Sequence, residues 1–243
     1  MQKDELIKRY YSQILLDDLS VEKQEMLSKK SITVIGCGGL GSPLAAYLAG
    51  AGVGTIKLVD DDTVELRNLH RQVFFSENDI GIKKVKALSD YLKNLNSNTT
   101  TEIYDKKSWE LSYDNIKSDL LIDCADNLRT SYDLNKVCSK ERAAFLTASI
   151  AAHVGQILLF SNDSQHCCLE CVFPSEGELD ANDCADVGVL GPSVALVSSL
   201  QSLIALGYLL EQKSHANHIY RINTKEFLIN KNKVLPDSSC KIK

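Results

Sequence analysis

The chain has 243 residues, enough for one large α/β domain with a substantial buried core. Its 44% apolar and 24% charged content is that of an ordinary globular protein and excludes a disordered or low-complexity chain. A formal net charge of -5 argues against nucleic acid as a partner, because such proteins carry a basic footprint.

The N-terminal stretch MQKDELIKRYYSQILL places charges where an export signal needs an apolar run, so a cytoplasmic location is expected. In that compartment the eight cysteines are expected as thiols, metal ligands or catalytic groups. Helical sequence covers about Lys3 to Lys29, with Ser20 capping a second helix. Strand and helix then alternate: strand SITVIG, helix SPLAAYLAGAG and strand TIKLVD come first. In helix GIKKVKALSDYLKNLN, Ile82, Val85, Leu88, Leu92 and Leu95 recur at spacings of three and four. Strands TTEIYD and SDLLIDCAD, helix NLRTSYDLNKVCSKER and strand AAFLTASI complete the series.

The second half changes character. HVGQILLFS and HIYRINTKEFLINKNKV read as antiparallel strands flanking an uncharged segment from Val187 to Leu210. That segment has the length of a membrane span, but Pro192, Ser193, Ser198, Ser199, Gln201 and Ser202 interrupt it. A helix buried in the core or in a subunit contact is the expectation, with no membrane partner. The βαβ series predicts an α/β fold, a Rossmann-like, doubly wound and mostly parallel sheet with antiparallel C-terminal strands. A single domain spanning 1–243 is expected, with N-terminal helices over 1–30 and a nucleotide-binding core over 31–150. The remainder, 151–243, supplies the antiparallel strands, a crossover loop and the apolar helix.

Gly36, Gly38 and Gly41, with Gly39 as an extra, form a phosphate-loop fingerprint between the first strand and its helix. Glycine there lets backbone N–H groups approach an anion at a helix N-terminus. Asp60 ends the second strand, where a carboxylate can hold a ribose diol. These features alone fit a NAD-dependent oxidoreductase equally well. The residues beyond the second strand favour a triphosphate: Asp60, Asp61 and Asp62 run together, then come Arg67, Asn68, Arg71, Gln72 and Lys84. A dinucleotide pyrophosphate is bound mainly by backbone amides, whereas expelling pyrophosphate from a triphosphate needs several cations to neutralise it. Singly each cation reads as solvated surface; their grouping after an acid-ended strand gives them a shared purpose. Asp126 at the end of the fourth strand suits Mg²⁺, and equally suits the N-cap of the following helix.

RYYSQILLDD, GCGGLGS, YLAGAGVGTIKLVDDDTVELRNLHRQ, CADN and the pair Cys168-x-x-Cys171 together resemble the ThiF/MoeB/HesA family of E1-like adenylyltransferases. The likeness covers nearly the whole chain. ILLDD, AGAGVGT and DCADVGVLGP place it nearest the thiamine-pathway branch. The resemblance implies that Mg-ATP and the C-terminal Gly-Gly carboxylate of a ubiquitin-like sulfur carrier protein react to an acyl-adenylate and pyrophosphate. It implies a homodimer. By matching position, Gly36, Gly38, Gly39 and Gly41 line the nucleotide and Asp60 and Asp62 its ribose side. Arg71 and Lys84 meet the phosphates with Arg67, Asn68, Gln72 and Asn127 nearby, and Asp126 binds Mg²⁺. A molybdopterin-pathway carrier is the alternative substrate.

Two departures from the family keep open a homologue that docks a carrier without activating it. The family's N-terminal R-Y-x-R-Q reads Arg9-Tyr10-Tyr11-Ser12-Gln13, so Ser12 stands where an arginine reaches the neighbouring subunit's ATP, and Arg9 is the candidate substitute. The family's second C-x-x-C reads Cys240-Lys241-Ile242-Lys243. Cys168, Cys171 and Cys240 are therefore expected zinc ligands with the fourth place open to Cys167, His166 or water, because an ammonium cannot ligate. A redox role for Cys168 and Cys171 is the alternative, though such pairs open a helix in thioredoxin-like folds. Cys184 matches the family's active cysteine, yet Glu176, Glu178, Asp180, Asp183 and Asp186 around it disfavour a thiolate. A bystander cysteine is an equal reading. Cys37, Cys124 and Cys138 read as small buried apolar groups.

Overall fold

A computed structural model of the chain describes residues 2–161, 167–175, 187–240 and 242. Two helices precede the sheet, α1 (Lys3–Ile14) and α2 (Val21–Leu27), the latter capped by Ser20, whose Oγ accepts the Lys23 N–H at 3.3 Å. The sheet then builds through β1 (Ser31–Ile35), α3 (Gly41–Ala51), β2 (Thr55–Val59), α4 (Lys84–Leu95) and β3 (Thr100–Tyr104). A short α5 (Tyr113–Ile116) leads to β4 (Leu120–Asp123), α6 (Leu128–Glu141) and β5 (Phe145–Ala151). After β6 (Val154–Phe160) come α7 (Leu169–Val172), α8 (Gly191–Leu209) and the hairpin of β7 (His218–Asn223) and β8 (Leu228–Lys233).

Eight strands form one sheet in the order β3-β2-β1-β4-β5-β6-β7-β8. The first five are mutually parallel and the last three add antiparallel, as the change of pattern after Ile150 predicts. The strand order reverses between β1 and β4, so the loops that follow them lead to α3 and α6 on opposite faces of the sheet and leave a crevice between them.

Alternate residues of each central strand face opposite layers. Ile32, Val34, Ile56, Leu58, Leu120, Ile122, Leu146 and Leu159 pack with Leu44, Leu48, Leu88, Val197 and Ala205 of α3, α4 and α8. Ile35, Val59, Leu121, Phe145, Leu158 and Phe160 pack on the other face with Ile116, Tyr132, Leu134, Cys138 and Leu169. Helix α8 is long and apolar enough to cross a membrane by length and composition, yet it lies on β5, β6 and α3. Ser193, Ser198, Gln201 and Ser202 within it are buried and hydrogen-bonded. The Ser198 hydroxyl donates to the Leu40 carbonyl at 2.7 Å, and Ser202 to the Ser198 carbonyl at 2.8 Å.

Helix boundaries are shorter than the sequence pattern suggests, and β4 ends at Asp123 rather than running to Asp126. The cause is local: the Asp123 carboxylate accepts the Ala125 N–H at 3.0 Å, an Asx-type turn that stops the strand. The N-terminal motif anchors its helix. Tyr10 and Gln13 lock α1 onto the core, Tyr10 Oη accepting from Asn96 at 2.9 Å and Gln13 donating to the Ala51 carbonyl at 3.1 Å. Arg9 donates to the Leu95 carbonyl at the end of α4 and so is engaged within its own chain. Ser12 is exposed on the outer side of α1.

Candidate active site at the switch point of the sheet

The glycines, Asp60, Asp62, Arg71, Gln72, Lys84 and Asp126 lie around the β1/β4 crevice. Gly36 follows β1 with φ +89°, and its bare Cα faces the backbone of the β4–α6 turn. A Cβ there would lie 2.7 Å from the Cys124 carbonyl oxygen and 3.0 Å from the Ala125 nitrogen. Gly41 opens α3 against the carbonyl of Gly36 so closely that no side chain fits, which brings the helix N-terminus onto the loop. Gly38 faces the Gln72 amide and Gly39 faces Arg71 and Val194, leaving backbone rather than side chains on the crevice floor.

Asp60 follows β2 and fixes the loop from beside it. Its Oδ2 accepts the Cys37 N–H at 2.6 Å and its Oδ1 the Asp62 N–H at 2.8 Å. Burial raises its pKa, a push opposed by Lys84 and by both amide bonds. Lys84, the first residue of α4, is 5% exposed, with its ammonium 2.8 Å from the Asp62 carboxylate. Burial alone depresses a lysine, but Asp60, Asp62 and Asp126 outweigh it and hold Lys84 above its usual value. That common influence places Asp126 in the same field as the β2 acids.

The 66–72 segment supplies the opposite wall. Arg71 Nη2 donates to Asn68 Oδ1 at 2.9 Å, and Nη1 meets His70 Nε2 at 2.9 Å, so the guanidinium is held on two sides. Gln72 is buried, and its Oε1 has no hydrogen-bond partner among the described residues. Its Nε2 is the atom that faces Gly38. Arg67 does not converge: its side chain is 82% exposed and pairs with Glu65. Asn127, not Asp126, caps α6, accepting the Thr130 N–H at 2.9 Å. Asp126 is thus exposed and, among the described residues, without a hydrogen bond of its own.

Sequence reasoning missed three neighbours. Asp123 is fully buried at the end of β4, Gln201 is buried in the middle of α8, and His70 braces Arg71. The available signals were a carboxylate closing an apolar strand and an amide inside an otherwise apolar helix.

A second cluster sits on the other face of the sheet. Cys168 Sγ lies 3.8 Å from Cys171 Sγ and 3.6 Å from Cys240 Sγ, so residues 72 apart in sequence meet. A tetrahedral zinc with Zn–S of about 2.3 Å has S···S edges of about 3.8 Å, which these three thiols already match. Burial pushes the Cys171 thiol up, but the Asp237 amide and neighbouring thiols outweigh it and bring it below its usual value. The pair opens a single helical turn, with Cys168 preceding α7. Cys167 is buried among apolar residues beside the cluster, while His166, Lys243 and Cys184 lie outside the described residues. Cys37, Cys124 and Cys138 are buried as expected, their thiols raised by burial.

Comparison with known proteins matches residues 10–242 to the ThiF family. The sulfur carrier protein ThiS adenylyltransferase of Escherichia coli K12 is 38% identical over 200 residues, covering 82% of this chain and 79% of that protein. The adenylyltransferase and sulfurtransferase MOCS3 of Dictyostelium discoideum is 38% identical over 210 residues, covering 85% of this chain. The chain spans about half of that second relative, 49% of its length. Among solved structures, Escherichia coli MccB with ATP superposes with a TM-score of 0.82 at 21% identity, over 96% of this chain and 74% of that one, a likeness of fold.

Proposed function

The chain belongs to the ThiF family, and on that premise we propose that it is the ATP-dependent adenylyltransferase of a ubiquitin-like sulfur carrier in the thiamine thiazole branch. The carrier's terminal glycine carboxylate attacks the α-phosphorus of ATP. The bond to the bridging oxygen breaks, pyrophosphate leaves with the electron pair, and an acyl-adenylate forms. The observation that carries this reading is the meeting of a glycine loop, a buried lysine and an exposed aspartate at one switch point.

Each residue type suits a part of that reaction. Amides at the N-terminus of α3 and the Arg71 fork take phosphate oxygens. Lys84 adds a point charge in a partly desolvated setting, where charge stabilisation is stronger than in water. Asp60 takes the ribose diol and Gln72 offers its unpaired oxygen to a donor on the nucleotide. Asp126 is the carboxylate for Mg²⁺, which screens the phosphates and stabilises charge on the departing group. Asp62 gives up part of its hold on Lys84 when phosphate enters.

We further propose that 1–243 acts as one unit, that it works as a homodimer, and that Cys168, Cys171 and Cys240 hold a structural zinc. Cys184 is proposed to link to the carrier through sulfur once the adenylate has formed, with AMP as the leaving group. The test is incubation with Mg-ATP and Gly-Gly-ending carriers of the thiamine and molybdopterin types, followed by intact mass. A carrier mass increased by one adenylyl group on the thiamine-type carrier alone is expected. Adenylation of only the other carrier moves the enzyme to that branch, and ATP-independent docking without mass gain refutes the activity.

A further inference from the structure

The turn between β4 and α6 carries Asp126, an exposed carboxylate at the crevice, yet every other part of it is anchored. The Cys124 N–H donates to the Ile35 carbonyl at 2.8 Å, tying the turn to β1. Gly36 packs its Cα against the Cys124 carbonyl. Asn127 caps α6. From behind, Gln201 of α8 donates to the Asp123 carbonyl at 3.3 Å and accepts the Cys124 thiol at 3.6 Å. At the centre is the Asp123 side chain, fully buried, its Oδ1 on the Ala125 N–H at 3.0 Å and its Oδ2 on the Thr147 hydroxyl of β5 at 2.8 Å.

A buried carboxylate is a costly way to end a strand, and an N-cap type turn is served as well by serine or asparagine. An ionised carboxylate accepts from the Ala125 amide and from the Thr147 hydroxyl of β5 at once, tying the turn to a neighbouring strand without offering a donor of its own. We propose that Asp123 is the positioning residue of the adenylation site, fixing the 123–127 turn so that Asp126 faces Lys84 and the glycine loop. Gln201 couples the same turn to α8. The inference rests on the adenylyltransferase reading.

The titratable groups facing Asp123 are Asp126 and Cys124 of its own turn and Cys138 of α6; β5 and α8 present the neutral Thr147 and Gln201. Burial raises the Asp123 carboxyl to about 6, against the pull of its hydrogen bonds to Ala125 and Thr147. Protonation replaces one acceptor position by a donor and loosens the turn, so turnover falls on the acid side.

The test is carrier-dependent ATP–pyrophosphate exchange from pH 5 to 9 for the intact enzyme and two variants. In Asp123→Asn, kcat at pH 8 is expected to fall about 100-fold, the scale of a misplacement of about 1 Å, with KM for ATP changed less than about threefold. Its acid limb near pH 6 disappears, because an amide does not titrate. Thr147→Val removes one donor with little change of shape, and serves if the first variant fails to fold. Its acid limb is expected to move to higher pH. A purely structural role lowers the amount of folded enzyme and leaves both the limb and kcat per folded molecule in place. Wild-type-like exchange with an unmoved limb in the variants overturns the positioning role alone. Absence of exchange in the wild-type enzyme overturns the adenylyltransferase reading and the inference with it.

Discussion

Replacing Gly36 with alanine tests whether the glycine loop is built to admit the Asp126 turn. Two costs add. The residue holds φ +89°, in a region that charges an L side chain about 1–2 kcal/mol. The new methyl would also lie 2.7 and 2.8 Å from the Cys124 carbonyl atoms, both backbone, where ordinary contact needs about 3.5 Å. Relief demands that the turn withdraw by well over half an ångström, and overpacking of this kind costs about 1–3 kcal/mol. The sum is about 3 kcal/mol, or a melting point lower by about 6–12 °C for a chain of this size. Gly81→Ala is the control: it has φ +85° but open space around it, so only the backbone cost of about 1–2 kcal/mol applies. Thermal unfolding separates the two, and ATP binding by calorimetry reports the displaced turn, with affinity falling at least tenfold in Gly36→Ala. Equal melting points for the two variants, with full ATP affinity in the first, would refute the close packing of loop and turn.

Asp126→Ala is expected to abolish pyrophosphate exchange while the melting point stays within about 1–2 °C, since the side chain is exposed; retained exchange removes Asp126 from the machinery. Cys168→Ser should lower bound zinc, measured by atomic emission, from one equivalent per chain to a small fraction; a wild-type chain purified without zinc refutes the site. Asp123 also links stability to pH. Its folded pKa of about 6 lies above the usual aspartate value of 3.8, so its contribution is fully present below about pH 4 and is lost as pH rises through 6. The loss is about 3 kcal/mol. Urea unfolding of wild type and Asp123→Asn at pH 4 and pH 7 should therefore differ by a gap that shifts toward the variant by about that amount; a pH-independent gap is evidence against the burial.

The parallel core was legible because β1 and β4 are nearly continuous apolar runs and α4 carries a three-four apolar period between strands. The antiparallel extension was legible in the change of pattern after Ile150. The grouping of Gly36, Gly38, Gly39 and Gly41 with Asp60, Arg71 and Lys84 was legible because these residues fall within a short span of chain around one strand-to-helix turn. Sequence alone could not distribute their roles. Asp126 and Asn127 are adjacent, and only the turn geometry gives the helix cap to Asn127 and leaves Asp126 for the crevice. Arg67 and Arg71 are equivalent as letters, yet Arg71 is braced by Asn68 and His70 while Arg67 pairs with Glu65 in solvent. Arg9 donates to the carbonyl of Leu95, 86 residues away in sequence, a contact that no local pattern announces.

Composition and spacing determine which chemistry this chain can carry, since propensity, hydrophobic period and glycine placement act locally. Which carboxylate is buried, which is free and which thiols meet was decided only by the tertiary structure. Those outcomes depend on groups from β4, β5, α6 and α8 converging on Asp123, and from α7 and the C-terminal segment converging on Cys168. Contacts across such separations leave no periodic trace along the chain.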